Sequence, residues 1–263
     1  MESERLPDYL WTKEYLEYIK KNCGVRGYDL DNRSEKCTRP DVGIALRYVS
    51  MMSIKTGEDI LEVGCGLGRI LRELYDLYCV SLYGCDMLPT MIREAHKRVG
   101  GITEALIGSK CENLPFKDES FHHIVCWGMF DLTEQTQSFV EMARVLKLGG
   151  KLLMTGKGDY YHLGDEEAKK AEEACKRLGI PNHFTDVEAM FKLAEFLGLS
   201  VVRQRFFLFR GDFMKDEGVD EMPKQFYEYL FIFRKGKGLG KPKIIDIQIG
   251  RKSSRTFRGE IHS

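Results

Sequence analysis

From about residue 41 onward, short apolar runs alternate with segments of helical period, the arrangement expected of a parallel sheet covered on both faces. DILEV at 59–63 reads as a first strand, and the pattern behind it predicts a helix over 69–78. A second strand at 80–85 ends at Asp86, and Pro89 opens the next helix where its missing N–H costs nothing. That helix carries Met91, Ile92, Ala95 and Val99 on one face. A short strand at 102–107, a fourth at 123–127, a helix over 134–146 stopped by Gly149-Gly150, and a fifth strand at 151–155 continue the alternation.

Beyond these, Thr185-Asp186-Val187-Glu188 is a capping box that starts a helix running to Leu197. Two aromatic-rich runs follow, 199–209 and 226–233, and predict an antiparallel pair at a sheet edge. The expected fold is α/β, a doubly wound, mostly parallel seven-stranded sheet with an antiparallel edge hairpin. Two segments fall outside this alternation. Residues 1–55 predict an N-terminal helical cap, with an amphipathic helix near 11–21. Residues 159–184 form an insertion after strand five, with a helix over 165–178 whose acidic start and basic end suit its dipole. The core domain then spans 56–235, and a tail covers 236–263.

Composition changes this picture little. With 263 residues, 43% of them hydrophobic, the chain can bury a substantial core. Forty basic residues balance forty acidic ones, so there is no whole-chain attraction to nucleic acid or anionic membrane. The tail differs: 234–263 holds nine Lys and Arg against two acids. The eight cysteines include no C-x-x-C pair and read as reduced thiols. The first residues lack an apolar signal core, and no window of about 18 apolar residues offers a membrane span, so a cytoplasmic location is expected.

The stretch ILEVGCGLGRI at 60–70 raises the chemical question, because Gly64, Gly66 and Gly68 follow a strand and precede a helix. Such a loop lets a ligand touch bare backbone beside the free N–H groups of a helix start. Asp86, ending strand two, stands 22 residues beyond Gly64, where an acid can hold ribose hydroxyls. A dinucleotide fingerprint needs a third glycine at position 69, which is Arg69, and this weighs against a nicotinamide-dependent dehydrogenase.

LEVGCGLG, YGCDML, ENLPFKDESFHHIVC and MARVLKLGGKLLMTG, in that order over roughly 57–157, resemble the class I S-adenosylmethionine-dependent methyltransferases. The small-molecule branch, similar to quinone-biosynthesis methyltransferases, matches best. The resemblance implies S-adenosyl-L-methionine as cofactor. Gly64, Cys65, Gly66 and Gly68 would pass beneath it, with Glu62 under the loop holding the loop or the amino group. Asp86 would take the ribose hydroxyls and Met87 would lie on the adenine. Cys111 and Glu112 would border the adenine edge, and Cys126 and Trp127 would face the methionine moiety. Two positions depart from the family pattern: Lys110-Cys111 replaces a common Asp-Ala pair, and His122 stands where an Asp is usual.

Methyl transfer from a sulfonium is an in-line displacement, so the protein's task is mainly alignment in a site closed to water. A hydroxyl acceptor gains from a positioned base, and Asp131 and His162 are the candidates after strands four and five. Asp131, just before Thr133, equally suits a helix cap. Tyr160, Tyr161 and His183 are candidates for a substrate wall. Trp11 and Tyr15 would belong to a lid, and Arg39 and Arg47 could meet a carboxylate. His122 and His123 are adjacent in a strand and point to opposite faces, so no metal site is assigned. The expected reaction is O- or N-methylation of a small molecule by a monomer or homodimer. An RNA methyltransferase using the basic tail is the alternative, not favoured because the flipped-base motif after strand four is replaced by CWGMFD. A scaffold that binds the cofactor without methylating anything is a third.

Overall fold

The first strand, β1 (Asp59–Val63), buries four of its five residues because both its faces are covered. The computed structural model in which it is seen describes residues 40–160, 164–177, 181–238 and 245–249. Helix α1 (Pro40–Ser50) precedes β1. After it come α2 (Arg69–Leu77), β2 (Ser81–Asp86), α3 (Pro89–Val99), β3 (Ala105–Gly108), β4 (Phe121–Cys126), a 3-10 turn (Phe130–Leu132), α4 (Gln135–Val145) and β5 (Leu146–Tyr160). The chain continues with α5 (Glu166–Arg177), β6 (Phe184–Thr185), α6 (Val187–Phe196), β7 (Leu199–Phe207), α7 (Asp212–Lys215), β8 (Phe226–Lys235) and β9 (Gln248–Ile249).

Seven of these strands form the main sheet in the order β3-β2-β1-β4-β5-β8-β7, parallel through β5 and antiparallel for the last two. The edge hairpin is therefore as expected, with the later strand β8 inside and β7 on the rim. The two-residue strands β6 and β9 pair with each other, and β6 adds to the end of β5. Strand order reverses between β1 and β4, which makes the carboxyl ends of β1, β2, β4 and β5 the edge where a ligand crevice forms.

Alternation along β5 assigns its residues to two cores. Leu152 and Met154 face Phe139, Met142, Phe231 and Phe233, while Leu153 faces Ile70, Leu71, Ala95 and Leu230. The second layer is the face that α1, α2 and α3 cover. The sequence boundaries shift in several places. Strand three begins only at Ala105, strand four begins at Phe121, and α4 stops at Val145 rather than at the glycine pair. Leu146 pairs with Phe121, so the chain is already extended before Gly149 and Gly150. Strand five also runs on to Tyr160, through a segment expected to start the insertion.

Part of the tail is tied into the fold. Ile247 is fully buried, its N–H donates to Thr136 Oγ1 at 3.0 Å, and its carbonyl accepts from Asp186 at 2.9 Å. The expected N-terminal lid with Trp11, Tyr15 and Arg39, the side chain of Tyr160, the residues Tyr161 and His162, and the tail beyond 249 lie outside the described residues.

Candidate active site

The glycine loop between β1 and α2 answers the question its sequence raises in three different ways. All three glycines have φ between 52° and 75°, the left-handed region that a side chain makes costly. At Gly68 an added methyl would lie 2.5 Å from Val99 Cγ2 of α3, and at Gly64 it would collide with the Met129 side chain. Those two positions are fixed by the protein's own packing. At Gly66 an added methyl would meet nothing within 4 Å among the described residues, so of the three loop glycines this one turns open backbone toward a ligand space.

Asp86 ties that loop to the end of β2. Its Oδ2 accepts the Gly66 N–H at 3.0 Å, and its Oδ1 accepts the Leu88 N–H at 2.8 Å. Burial raises the carboxyl pKa above the ordinary range, while the two N–H donors pull it back. Each oxygen keeps a further lone pair, the requirement for holding two ribose hydroxyls.

Glu62 lies deeper, 4% exposed, with Oε2 buried and without a hydrogen-bond partner among the described residues. Burial pushes its pKa up to about 8, against the opposing effects of the Arg69 charge and the Leu71 N–H. A buried carboxyl oxygen left open beside the loop fits a cofactor that presents an ammonium group and a sulfonium. The loop, Asp86 and Glu62 together therefore suit S-adenosylmethionine.

Other expected contacts are placed differently. The Cys65 side chain is in the core and its thiol pKa is raised by burial, so only its backbone can serve the loop. Cys126 is fully buried, with its Sγ 3.3 Å from Met129 Sδ, and Met129 rather than this thiol stands over Gly64. Cys111 packs in the core under α4, and Glu112 Oε1 accepts the Glu134 N–H at 2.8 Å, capping α4. Met87 is half-buried just past Asp86. Trp127, half-buried beyond β4, packs its ring 5.2 Å from Phe213 in the connection between β7 and β8. That connection also reaches α1, where Arg47 pairs with Asp216 instead of standing free for a substrate carboxylate.

Asp131 neither caps α4, whose cap position is Glu134, nor stands alone. Its Oδ2 lies 3.2 Å from Lys157 Nζ, and its carbonyl accepts the His183 N–H at 2.7 Å, so two of the expected residues are brought together. Lys157, on the late part of β5, also reaches Asn182 Oδ1 at 2.8 Å and Glu172 Oε1 at 3.3 Å. Burial works against its ammonium, yet Asp131 and the neighbouring groups outweigh this and raise its pKa. Tyr227 O–H donates to Glu172 at 2.8 Å and accepts from Arg210 Nη1 at 3.0 Å. Glu228 lies directly across the ladder from Lys157, on the same face.

This polar group was missed in the sequence, where only Asp131 and His183 of its members were singled out. A signal was present: Glu228 is the one charged residue within FYEYLFIF, a run otherwise built for a buried strand. His122 lies half-exposed beside Asp59 and Lys147, and the His123 ring is 3.0 Å from Glu58.

Comparison with known proteins agrees with this geometry. Residues 60–150 match the family model described as "Methyltransferase domain". The chain is 30% identical over 111 residues to the ubiquinone/menaquinone biosynthesis C-methyltransferase of Bordetella avium, covering 40% of this chain and 43% of that protein. It is 34% identical over 106 residues to a human relative named for tRNA methylation, tRNA methyltransferase 9B, covering 38% of this chain and 21% of that one. The chain thus spans less than half the length of either. A Haloferax volcanii methyltransferase solved in complex with the Trm112 activator superposes with a TM-score of 0.60 at 18% identity, over 89% of this chain and 100% of that one. Matched segment, strand order and loop geometry support a class I S-adenosylmethionine-dependent methyltransferase, similar to those of quinone biosynthesis.

Proposed function

We propose that this protein transfers a methyl group from S-adenosylmethionine to an oxygen or nitrogen atom of a small-molecule acceptor, acting in the cytoplasm as a monomer or homodimer. The observation that carries the reading is the open backbone of Gly66 hydrogen-bonded to Asp86, with the unpartnered oxygen of Glu62 beneath. Gly64 to Gly68, Asp86 and Glu62 would hold the cofactor, which when bound supplies an electrophilic methyl on a charged sulfur.

The chain's own residues then align and enclose. Trp127 and Phe213 close one side of the acceptor space, and the segment carrying α5 brings Glu172 to another. Asp131, held by Lys157, stands after β4 as an acceptor for a proton or a hydrogen bond. Among the described residues no helix is long and apolar enough to cross a membrane, and the reaction needs none.

Calorimetric titration with S-adenosylhomocysteine and with NAD tests the reading. Binding of the first and not of the second is expected, and the reverse would make the protein a dehydrogenase. A scaffold would bind S-adenosylhomocysteine and transfer no label from the methyl donor to any metabolite offered.

A second reading, methylation of RNA, draws on the basic tail and on the relative named for tRNA. Because Ile247 belongs to the core, the tail has to be cut after residue 249 for a clean test. Loss of salt-sensitive RNA binding in that shortened chain supports the RNA reading. No RNA binding by the full chain supports the small-molecule one.

A further inference from the structure

The tail segment 245–249 meets the start of α4 through its polar atoms. Gln248 Oε1 accepts the Gln135 N–H at 2.8 Å, Gln248 Nε2 donates to Glu134 Oε2 at 3.3 Å, and Asp246 Oδ1 accepts the Thr136 hydroxyl at 2.7 Å. Gln135 and Thr136 open the helix, where backbone N–H groups have no intrahelical acceptor. Gln248 supplies one from far along the chain. On its other side the segment pairs with β6, Gln248 opposite Thr185 and Ile249 opposite Phe184, and the Ile247 side chain is enclosed in the core.

From there, printed hydrogen bonds lead step by step to the candidate site. Gln135 Nε2 donates to the His183 carbonyl at 3.4 Å, and the His183 N–H donates to the Asp131 carbonyl at 2.7 Å. Asp131 lies in the 3-10 turn that begins right behind Met129, whose carbonyl accepts the Leu132 N–H at 2.9 Å. Met129 is the side chain that an added methyl at Gly64 would strike, so it packs directly on the glycine loop. This turn has a fixed start, where the Gly128 N–H donates to Thr155 Oγ1 at 2.8 Å, and its far end is held by His183. The strand that follows His183 needs support of its own. β6 is two residues long and meets β5 at one register pair, Gly158 with Thr185, while β9 supplies two more on its other edge.

We propose that residues 245–249, with Gln248 as the principal contact, are a positioning element of the cofactor site. They hold His183, and through it the turn that lays Met129 on Gly64 and presents Asp131. Gln248 touches neither cofactor nor acceptor and acts through Gln135 and β6. The inference rests on the function proposed above, in that the loop at Gly64 is taken to bind the cofactor.

The test titrates S-adenosylhomocysteine into the full chain, into Gln248→Ala, and into chains ending at residue 249 and at residue 244, with backbone amide exchange followed by NMR in the same proteins. The chain ending at 249 should bind as the full chain does. Gln248→Ala should bind about tenfold more weakly, the scale of one or two lost hydrogen bonds, and the chain ending at 244 more weakly still. Exchange at the His183 and Leu132 amides should be faster in Gln248→Ala, while the amides of β1 and β2 keep their protection. Lost protection in β1 and β2 would show that the chain ending at 244 has unfolded, and Gln248→Ala then decides. Gln248→Ala is also made in a Met129→Ala background. Because Gln248 acts through the turn carrying Met129, it should there change affinity by less than about twofold.

Unchanged affinity in Gln248→Ala, unchanged exchange at both amides, or an equal loss of affinity in the two backgrounds overturns the proposal, the last because general loosening of the fold would add independently of Met129. If the full chain fails to bind S-adenosylhomocysteine, the proposed function fails, and exchange at His183 and Leu132 alone decides whether the tail holds the turn.

Discussion

Asp86 and Gly66 are joined through a 3.0 Å hydrogen bond from the glycine N–H to the acid's Oδ2, so the end of β2 and the loop after β1 form one unit. Asp86→Ala leaves the N–H groups of Gly66 and Leu88 without this acceptor. The expected cost is about 2 kcal/mol of stability, together with a loss of S-adenosylhomocysteine affinity of roughly a hundredfold. Thermal denaturation and calorimetry on the same sample read the two effects. Unchanged affinity would remove Asp86 from the cofactor site.

Gly68 makes room for Val99 of α3. Gly68→Ala should therefore destabilise by about 1–3 kcal/mol through overpacking, plus the left-handed backbone cost of about 1 kcal/mol. Val99→Ala in the same chain should recover part of the loss. A double-mutant cycle on urea midpoints checks this, and strict additivity would contradict the contact.

Glu62 gives a pH dependence of definite sign. Its pKa of about 8 in the folded protein lies above the ordinary glutamate value of 4.5, so the native state holds an extra proton between those limits. Stability from this group is fully present below about pH 4.5 and is lost as the pH rises through 8. The urea midpoint should fall between pH 6 and pH 8.5 in the wild type, and Glu62→Gln should flatten the fall. A cationic cofactor favours the ionised carboxyl, so S-adenosylmethionine affinity should rise over the same interval.

Lys157 is the cation between Asp131 and Glu172, with its side chain 14% exposed. Removing one member of a buried charge cluster leaves the others uncompensated. Lys157→Met should cost about 3–5 kcal/mol, visible as a large drop in melting temperature. A drop of only a few degrees would mean that the cluster is hydrated and that its charges are screened.

How much of this could be read in the sequence follows from which contacts are local. The strands β1, β2 and β4 and the helices α2 and α3 were legible because each is a continuous run with its own period, bounded by glycine, proline or an acid. The loop at 64–68 and Asp86 were legible because their spacing is fixed by one β-α-β unit. The start of β5 was not, since Leu146 to Gly150 resembles a helix end with a glycine stop and is extended only because Phe121 pairs with Leu146. The same reasoning hid the tail's attachment at Ile247, which depends on Thr136 and Asp186 far away in the chain. Arg210, Tyr227 and Lys157 come from three separate segments, and they meet only because β8 inserts between β5 and β7. Cys111, Glu112 and Cys126 were placed by family position alone, and here local packing turns them to the core or to a helix cap.

The most direct measurement is S-adenosylhomocysteine titration into Gly66→Ala, a loop substitution that meets no atom of the described residues within 4 Å. The account predicts a variant less stable by only about 1 kcal/mol, the left-handed backbone cost, with affinity weakened a hundredfold or more because the new methyl occupies cofactor space. Wild-type affinity in a folded Gly66→Ala protein would contradict it.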